Sequence, residues 1–238
     1  MKVDILAIGI HPDDVELSCA GTLLKHIAAG YSCGILDLTE GELGTRGSAE
    51  LRRKEAARSV EILGVKVREI MTLRDGFFVT GDPDLTEVIK RIRKYQPEIV
   101  LCNAVSDRHP DHGRAAKMVS DACFYSGLRR IETSLDGVAQ STWRPKAVYH
   151  YIQDRSLKPD LVVDVTPFVD KKLESIMAFS SQFFDPQSKE PATPISSADF
   201  LEFVKAKMRV YGRDIQAEFA EGFTVERVPG VEDLMKLK

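Results

Sequence analysis

An apolar run that ends in acid and base constrains this chain more than any other feature. Val3-Asp4-Ile5-Leu6-Ala7-Ile8-Gly9-Ile10 is continuous enough for a strand buried on both faces of a sheet. His11-Pro12-Asp13-Asp14-Val15-Glu16 follows at once, and Leu17 to Ala29 then reads as a helix stopped by Gly30. The polar residues therefore fall where a first strand leaves a sheet and enters a helix. In open α/β sheets, ligands collect at that carboxyl edge. Asp107-Arg108-His109-Pro110-Asp111-His112-Gly113 repeats the chemistry after a second strand-like run, Glu98 to Asn103.

Between and beyond these motifs, strand and helix patterns alternate. Tyr31 to Thr39 and Val67 to Leu73 read as strands. Ala49 to Leu63 reads as a helix capped by Ser48 and ended by Gly64. Leu85 to Tyr95 carries an apolar stripe at Leu85, Val88, Ile89 and Ile92, and another helix runs from Arg114 to about Tyr125. Such alternation predicts an α/β fold: a Rossmann-like, doubly wound, mostly parallel sheet with helices on both faces. The later part is less regular. Lys146 to Ile152 and Leu161 to Val165 read as strands, Phe168 to Ser180 and Asp199 to about Ile215 as helices, and the rest as a short extended tail. Asp185 to Ser197 holds Pro186, Pro191 and Pro194 and reads as a loop. No linker divides the chain, so residues 1–238 are expected to form one domain with a C-terminal elaboration.

Composition narrows the partners. A net charge of -3 gives no global positive field for nucleic acid, and no apolar run approaches a membrane span. The N-terminus enters a strand without a signal-peptide pattern, and the four cysteines form no CxxC pair. Reduced, structural cysteines in a cytoplasmic protein are expected, with Cys19 packing on a helix face.

Dinucleotide binding would need a glycine-rich turn after the first strand, and two carboxylates there would repel a pyrophosphate. A metal fits better. A catalytic zinc takes three protein ligands from histidine nitrogen and carboxylate oxygen and leaves one position open. His11 and Asp14 can reach one point from a tight turn, and His112 can supply the third ligand from the neighbouring loop. Asp13 is then free to act as a general base. His109 is also free, with Asp111 two positions on to orient its ring or raise its pKa. Blander readings exist for single residues: a loop histidine is often only hydrogen-bonded, and Asp13 or Asp14 could be a plain N-cap. Two His/Asp loops, each placed after an apolar strand, favour the functional reading. His26 and His150 have no such company and read as structural.

These motifs resemble the signatures of the zinc-dependent PIG-L/LmbE deacetylase family. The resemblance rests on His11-Pro12-Asp13-Asp14-Val15-Glu16 with Ala20-Gly21-Thr22, and on His109-Pro110-Asp111-His112. It continues in Thr39-Glu40-Gly41-Glu42, Thr45-Arg46-Gly47, Leu51 to Ala56 and Ser181-Gln182-Phe183. The tail, Tyr211-Gly212 through Ala220-Glu221-Gly222-Phe223, is most similar to the bacillithiol-biosynthesis deacetylases, which act on N-acetylglucosaminyl-malate. The resemblance implies one Zn²⁺ per chain on His11, Asp14 and His112, with Asp13 as base and His109, held by Asp111, as acid or electrostatic partner. It implies Arg52 and Arg108 as substrate contacts, and a homo-oligomer, since family members are often hexamers. The proton for the leaving nitrogen comes from Asp13 or from His109; both readings fit the sequence. The alternatives are deacetylation of another N-acetylglucosamine-containing substrate, or a non-catalytic metal- or sugar-binding module.

Overall fold

The computed structural model describes residues 1–237. In chain order the strands are β1 (Ile5–Gly9), β2 (Cys33–Asp37), β3 (Val67–Ile70), β4 (Ile99–Cys102), β5 (Ser134–Leu135), β6 (Val138–Ala139), β7 (Ala147–Tyr151), β8 (Leu161–Asp164) and β9 (Ala220–Val225). The α-helices are α1 (Asp14–Ala28), α2 (Ala49–Leu63), α3 (Asp84–Tyr95), α4 (Pro110–Tyr125), α5 (Val169–Met177) and α6 (Phe200–Asp214). β5 and β6 form a small hairpin, and the other strands make one seven-stranded sheet ordered β3-β2-β1-β4-β7-β9-β8. The run from β3 to β7 is parallel, and β9 is antiparallel to both of its neighbours.

The two-residue period of β1 divides the core. Leu6 and Ile8 face α3 and α4, where Val88, Ile92, Met118 and Val119 pack on them. Ile5 and Ala7 point the other way, onto Val15, Cys19 and Leu23 of α1. Helices therefore cover both faces of a mostly parallel α/β sheet, as the alternating pattern predicts. Strand order runs outward from β1 through β2 to β3, and in the opposite direction from β4 to β7. The loops leaving β1 and β4 splay apart at that reversal, and both polar motifs sit in them. All four cysteines are buried and free. No helix among the described residues is long and apolar enough to cross a membrane.

Local signals set several boundaries. The Ser48 hydroxyl accepts the Leu51 N–H, and Gly64 closes α2 at a φ of 73°. The strands are shorter than their apolar runs, and two helices begin earlier than expected. α1 starts at Asp14 rather than Leu17, and α4 at Pro110 rather than Arg114. Part of each polar motif therefore belongs to a helix, and in α4 the fixed φ of Pro110 suits the first turn. The expected extended tail is a correction of another kind. Residues 220–225 are an interior strand, β9, lodged between β7 and β8. Glu221 breaks its apolar pattern, yet its side chain is buried. It accepts from Lys172 Nζ (2.5 Å), the Gly21 and Thr22 N–H groups (2.9 and 2.7 Å) and Thr22 Oγ1 (2.6 Å).

Removing one partner of a buried pair leaves the other charge uncompensated, at about 3–5 kcal/mol. Glu221→Ala strands the Lys172 ammonium, which is fully buried on α5. Chemical denaturation of Glu221→Ala should show a loss of that size. A midpoint equal to wild type would contradict the pairing.

Candidate functional site

Asp14 opens α1 and is held from three sides. Its Oδ2 accepts the His11 N–H (3.0 Å) and Asn103 Nδ2 (2.9 Å), and its Oδ1 accepts Gln153 Nε2 (3.0 Å). Asn103 lies just past β4 and Gln153 just past β7, so the ends of three strands converge on one carboxylate. His11 and His112 approach that carboxylate as well. His11 Nδ1 stands 3.8 Å from Asp14 Oδ2, and His112 Nε2 stands 3.3 Å from Asp14 Oδ1. The other nitrogen of each ring is held by a second carboxylate. His11 Nε2 meets Asp75 Oδ1 at 3.0 Å, and His112 Nδ1 meets Asp107 Oδ2 at 2.5 Å. An imidazole anchored by a carboxylate on one nitrogen and aimed at a shared point with the other is the arrangement of a metal ligand.

The electrostatics agree. Burial pushes the His112 imidazole down, but Asp14 and Asp107 outweigh it and raise the pKa to about 10. His11 is raised as well: burial opposes, and Asp75 and Asp14 prevail. Asp14 stays well below the usual carboxylate range; burial opposes this, and His112 and His11 impose it. The site gathers carboxylates that demand positive charge, and a divalent cation meets that demand with the same donors. The donor set therefore fits a metal. Ligand atoms of His11, His109 and His112 also lie within 4.8 Å of one another, as do those of His11, Asp75 and Asp111.

Asp13 is distinct from Asp14. It stands at the N-cap position of α1, yet its side chain makes no capping hydrogen bond. Its φ is 122°, far outside the region an L-residue prefers. Burial, with the adjoining Asp14 and Glu16, holds its carboxyl above the ordinary range, and Arg52 only partly offsets this. A buried, raised carboxyl on strained backbone is poor for stability and suited to proton transfer near neutral pH.

His109 caps α4: its Nδ1 accepts the Asp111 N–H at 3.3 Å. A neutral ring so placed carries its proton on Nε2. Burial first, then His11 and His112, hold its pKa below the usual value. The expected ring-to-carboxylate contact between His109 and Asp111 does not form. Asp111 lies in the first turn of α4, where its carboxylate turns to the Gly76 N–H (2.9 Å) and Arg114 Nη1 (3.0 Å). The structure corrects one expectation here: Asp111 meets His109 through its backbone N–H, and its carboxylate is engaged elsewhere.

These groups line one cavity of about 400 Å³. Arg52 and Arg108 both line it, at different depths. Arg52 is buried, bonded to Gln182, and wrapped by Gly41 and Gly44, where a Cβ would strike its guanidinium. Arg108 is exposed at the mouth and bonds Asp154 at 2.8 Å. Arg46 and Arg53 lie outside the cavity lining: Arg46 bonds Ser188, and Arg53 pairs with Glu40. The sequence reading passed over Asp75, Asp107, Asn103 and Gln153, since none stands in a histidine motif except Asp107. It also passed over the far wall, made by Thr193 to Ile195 and by α6. Lys207 of α6 donates to the carbonyls of Gln153, Asp154 and Arg155, and burial lowers its pKa to about 8.

Several known proteins are similar to this chain. The family described as PIG-L, GlcNAc-PI de-N-acetylase, matches residues 6–123. Diacetylchitobiose deacetylase of Thermococcus kodakarensis is 28% identical over 240 residues, covering 95% of this chain and 84% of that one. The probable N-acetyl-alpha-D-glucosaminyl L-malate deacetylase 2 of Bacillus anthracis is 29% identical over 195 residues, covering 75% and 81%. Among solved structures, the conserved protein TT1542 from Thermus thermophilus matches with a TM-score of 0.86 and 29% identity over 98% of both chains.

Strain of the kind at Asp13 costs about 1–3 kcal/mol. Asp13→Gly should therefore raise the denaturation midpoint while abolishing turnover. A variant no more stable than wild type would mean that the φ of 122° carries no strain.

Proposed function

The chain belongs to the PIG-L family, and on that premise we propose that it hydrolyses the acetamide of an N-acetylglucosaminyl conjugate. The conjugate we propose is N-acetylglucosaminyl-malate, cleaved in the cytoplasm by a homo-oligomer whose domain spans residues 1–238. The observation that carries the reading is the pair of imidazoles, His11 and His112, each held by a carboxylate behind it and turned to Asp14.

His11, Asp14 and His112 would hold one Zn²⁺ per chain. Bound there, the ion supplies Lewis acidity toward the acetamide carbonyl and makes water a better nucleophile at neutral pH. Asp13 takes the proton from the attacking water, for which its raised pKa suits it. His109, with Nδ1 engaged by the Asp111 N–H, presents Nε2–H to the oxygen on which negative charge develops. Asp13, now protonated, can return the proton to the departing nitrogen. Arg52, which lines the cavity, would contact sugar hydroxyls, and Arg108, exposed at the mouth, would meet the aglycone. Arg108 and Lys207 bring positive charge to that side, and arginine binds a carboxylate bidentately. The Bacillus anthracis relative, whose name includes L-malate, supports the same aglycone.

Metal analysis and turnover together separate the roles. His11→Ala and His112→Ala should lose the bound metal. Asp13→Asn should keep it while turnover falls by about 10²–10⁴. His109→Ala should keep it with a loss of about 10²–10³. Metal lost from Asp13→Asn and retained in His112→Ala would reverse the assignment.

A substrate panel tests the aglycone. N-acetylglucosaminyl-malate should be deacetylated with much higher kcat/KM than free N-acetylglucosamine. Arg108→Ala should cost the acidic substrate roughly 10–150-fold, the worth of a charge-assisted hydrogen bond, and the free sugar little. Equal efficiency on both substrates in wild type and variant would remove the malate assignment and leave the deacetylase.

A further inference from the structure

The cavity does not stop at the reacting groups. Leu17 and Ser18 lie one turn beyond Asp13 and Asp14 on the same face of α1, and both line the cavity. Ile152, Val204, Met208 and Tyr211 line the same inner lobe from the end of β7 and from α6. The Lys172–Glu221 pair forms its floor. On α1 the lining reaches Ser18, one turn past Asp14, which is roughly 6 Å at the helical rise of 1.5 Å per residue.

Above the Lys172–Glu221 floor, Leu17, Ile152, Val204 and Met208 make apolar walls that also carry two hydroxyls. Ser18 and Tyr211 are only 6% and 7% exposed. Neither Ser18 Oγ nor Tyr211 Oη has a hydrogen-bond partner among the described residues. Buried hydroxyls are normally paired, so two unpaired ones on one cavity wall mark a place for a ligand's polar atom. Of the two substituents on the scissile amide, the sugar conjugate is the bulky, polar one and has to extend toward the mouth at Arg108. The acyl group is the one left to point inward.

We propose that the inner lobe is an acyl pocket and that the protein hydrolyses N-acyl groups longer than acetyl, short hydroxyacyl chains foremost. This rests on the amide-hydrolase reading of the same site. Hydrolysis breaks the amide C–N bond and joins the oxygen of water to the acyl carbon. Both protons of water end on the nitrogen, leaving a carboxylate and an ammonium. Ser18 and Tyr211 bond the chain's hydroxyl, and Leu17, Ile152, Val204 and Met208 cover its methylenes.

The test is a chain-length series of glucosaminyl conjugates, N-acetyl, N-butyryl and N-3-hydroxybutyryl, assayed with metal-loaded wild type for release of the free amine. The N-acetyl arm reports the amide-hydrolase reading by itself. Given turnover there, the expected result is kcat/KM for both longer chains within about tenfold of acetyl, with the hydroxylated chain preferred about 2–10-fold over butyryl. A pocket closed behind the methyl group would cost roughly 10–200-fold for each added methylene. A fall of more than about 100-fold for both longer chains would overturn the proposal. Ser18→Ala with Tyr211→Phe should bring the ratio of 3-hydroxybutyryl to butyryl to one, and an unchanged ratio would overturn the role of the hydroxyls. The ratio is internal to each preparation, so partial misfolding of the variant does not alter it. Val204→Phe, which fills the lobe, should lower the ratio of butyryl to acetyl kcat/KM at least tenfold; an unchanged ratio would place the acyl chain elsewhere.

Discussion

Everything at this site depends on one buried carboxylate held from three strand ends. Asp14 binds the backbone after β1, Asn103 after β4 and Gln153 after β7. Asn103 in turn accepts the Ile10 N–H and donates to Gln153. A parallel sheet with its order reversed between β1 and β4 leaves a cleft at those ends. The hydrogen bonds to Asp14 fix the width of that cleft. His11 and His112 thus meet at a preset spacing, and preorganised donors of this kind need no rearrangement during reaction.

Charge beneath the site is arranged with similar economy. Arg68 bonds Glu16 at 2.5 Å and Asp37 at 2.7 Å, deep under the first turn of α1. One guanidinium serves two buried carboxylates, and burial lifts Asp37 to about 6. The surroundings of Asp13 are therefore negative as well as dry. Both conditions resist ionisation of a carboxyl and favour one that can carry a proton.

Much of this was legible in the sequence, for physical reasons that can be named. Buried parallel strands must be apolar throughout, so β1, β2 and β4 announce themselves. Ser48 and Gly64 mark α2 because capping is local chemistry. His11, Asp14 and His112 could be grouped because each follows a strand in a predicted parallel sheet. Other parts depended on contacts across the chain. Asp75 lies 64 positions from the His11 ring it anchors, and nothing in its own neighbourhood marks it. Asp111 looked like a partner for His109 because spacing along the sequence does not say which way a carboxylate turns in a helix's first turn. β9 was read as a tail because a buried charge, Glu221, interrupts the pattern that reveals other strands, and its partner Lys172 lies on α5.

The place of β9 has a consequence for how the protein is made. Synthesis delivers β1, β4 and β7, and with them His11, Asp14 and His112, before residues 220–225 exist as chain. Until β9 arrives, β7 presents an unpaired edge, β8 has no neighbour in the sheet, and Lys172 has no counter-charge. α6, which walls the cavity, is joined to the sheet through that same strand. A growing chain therefore carries His11, Asp14 and His112 well before it can close the cavity around them. During that interval its exposed strand edges are open to a chaperone or to a second copy of themselves.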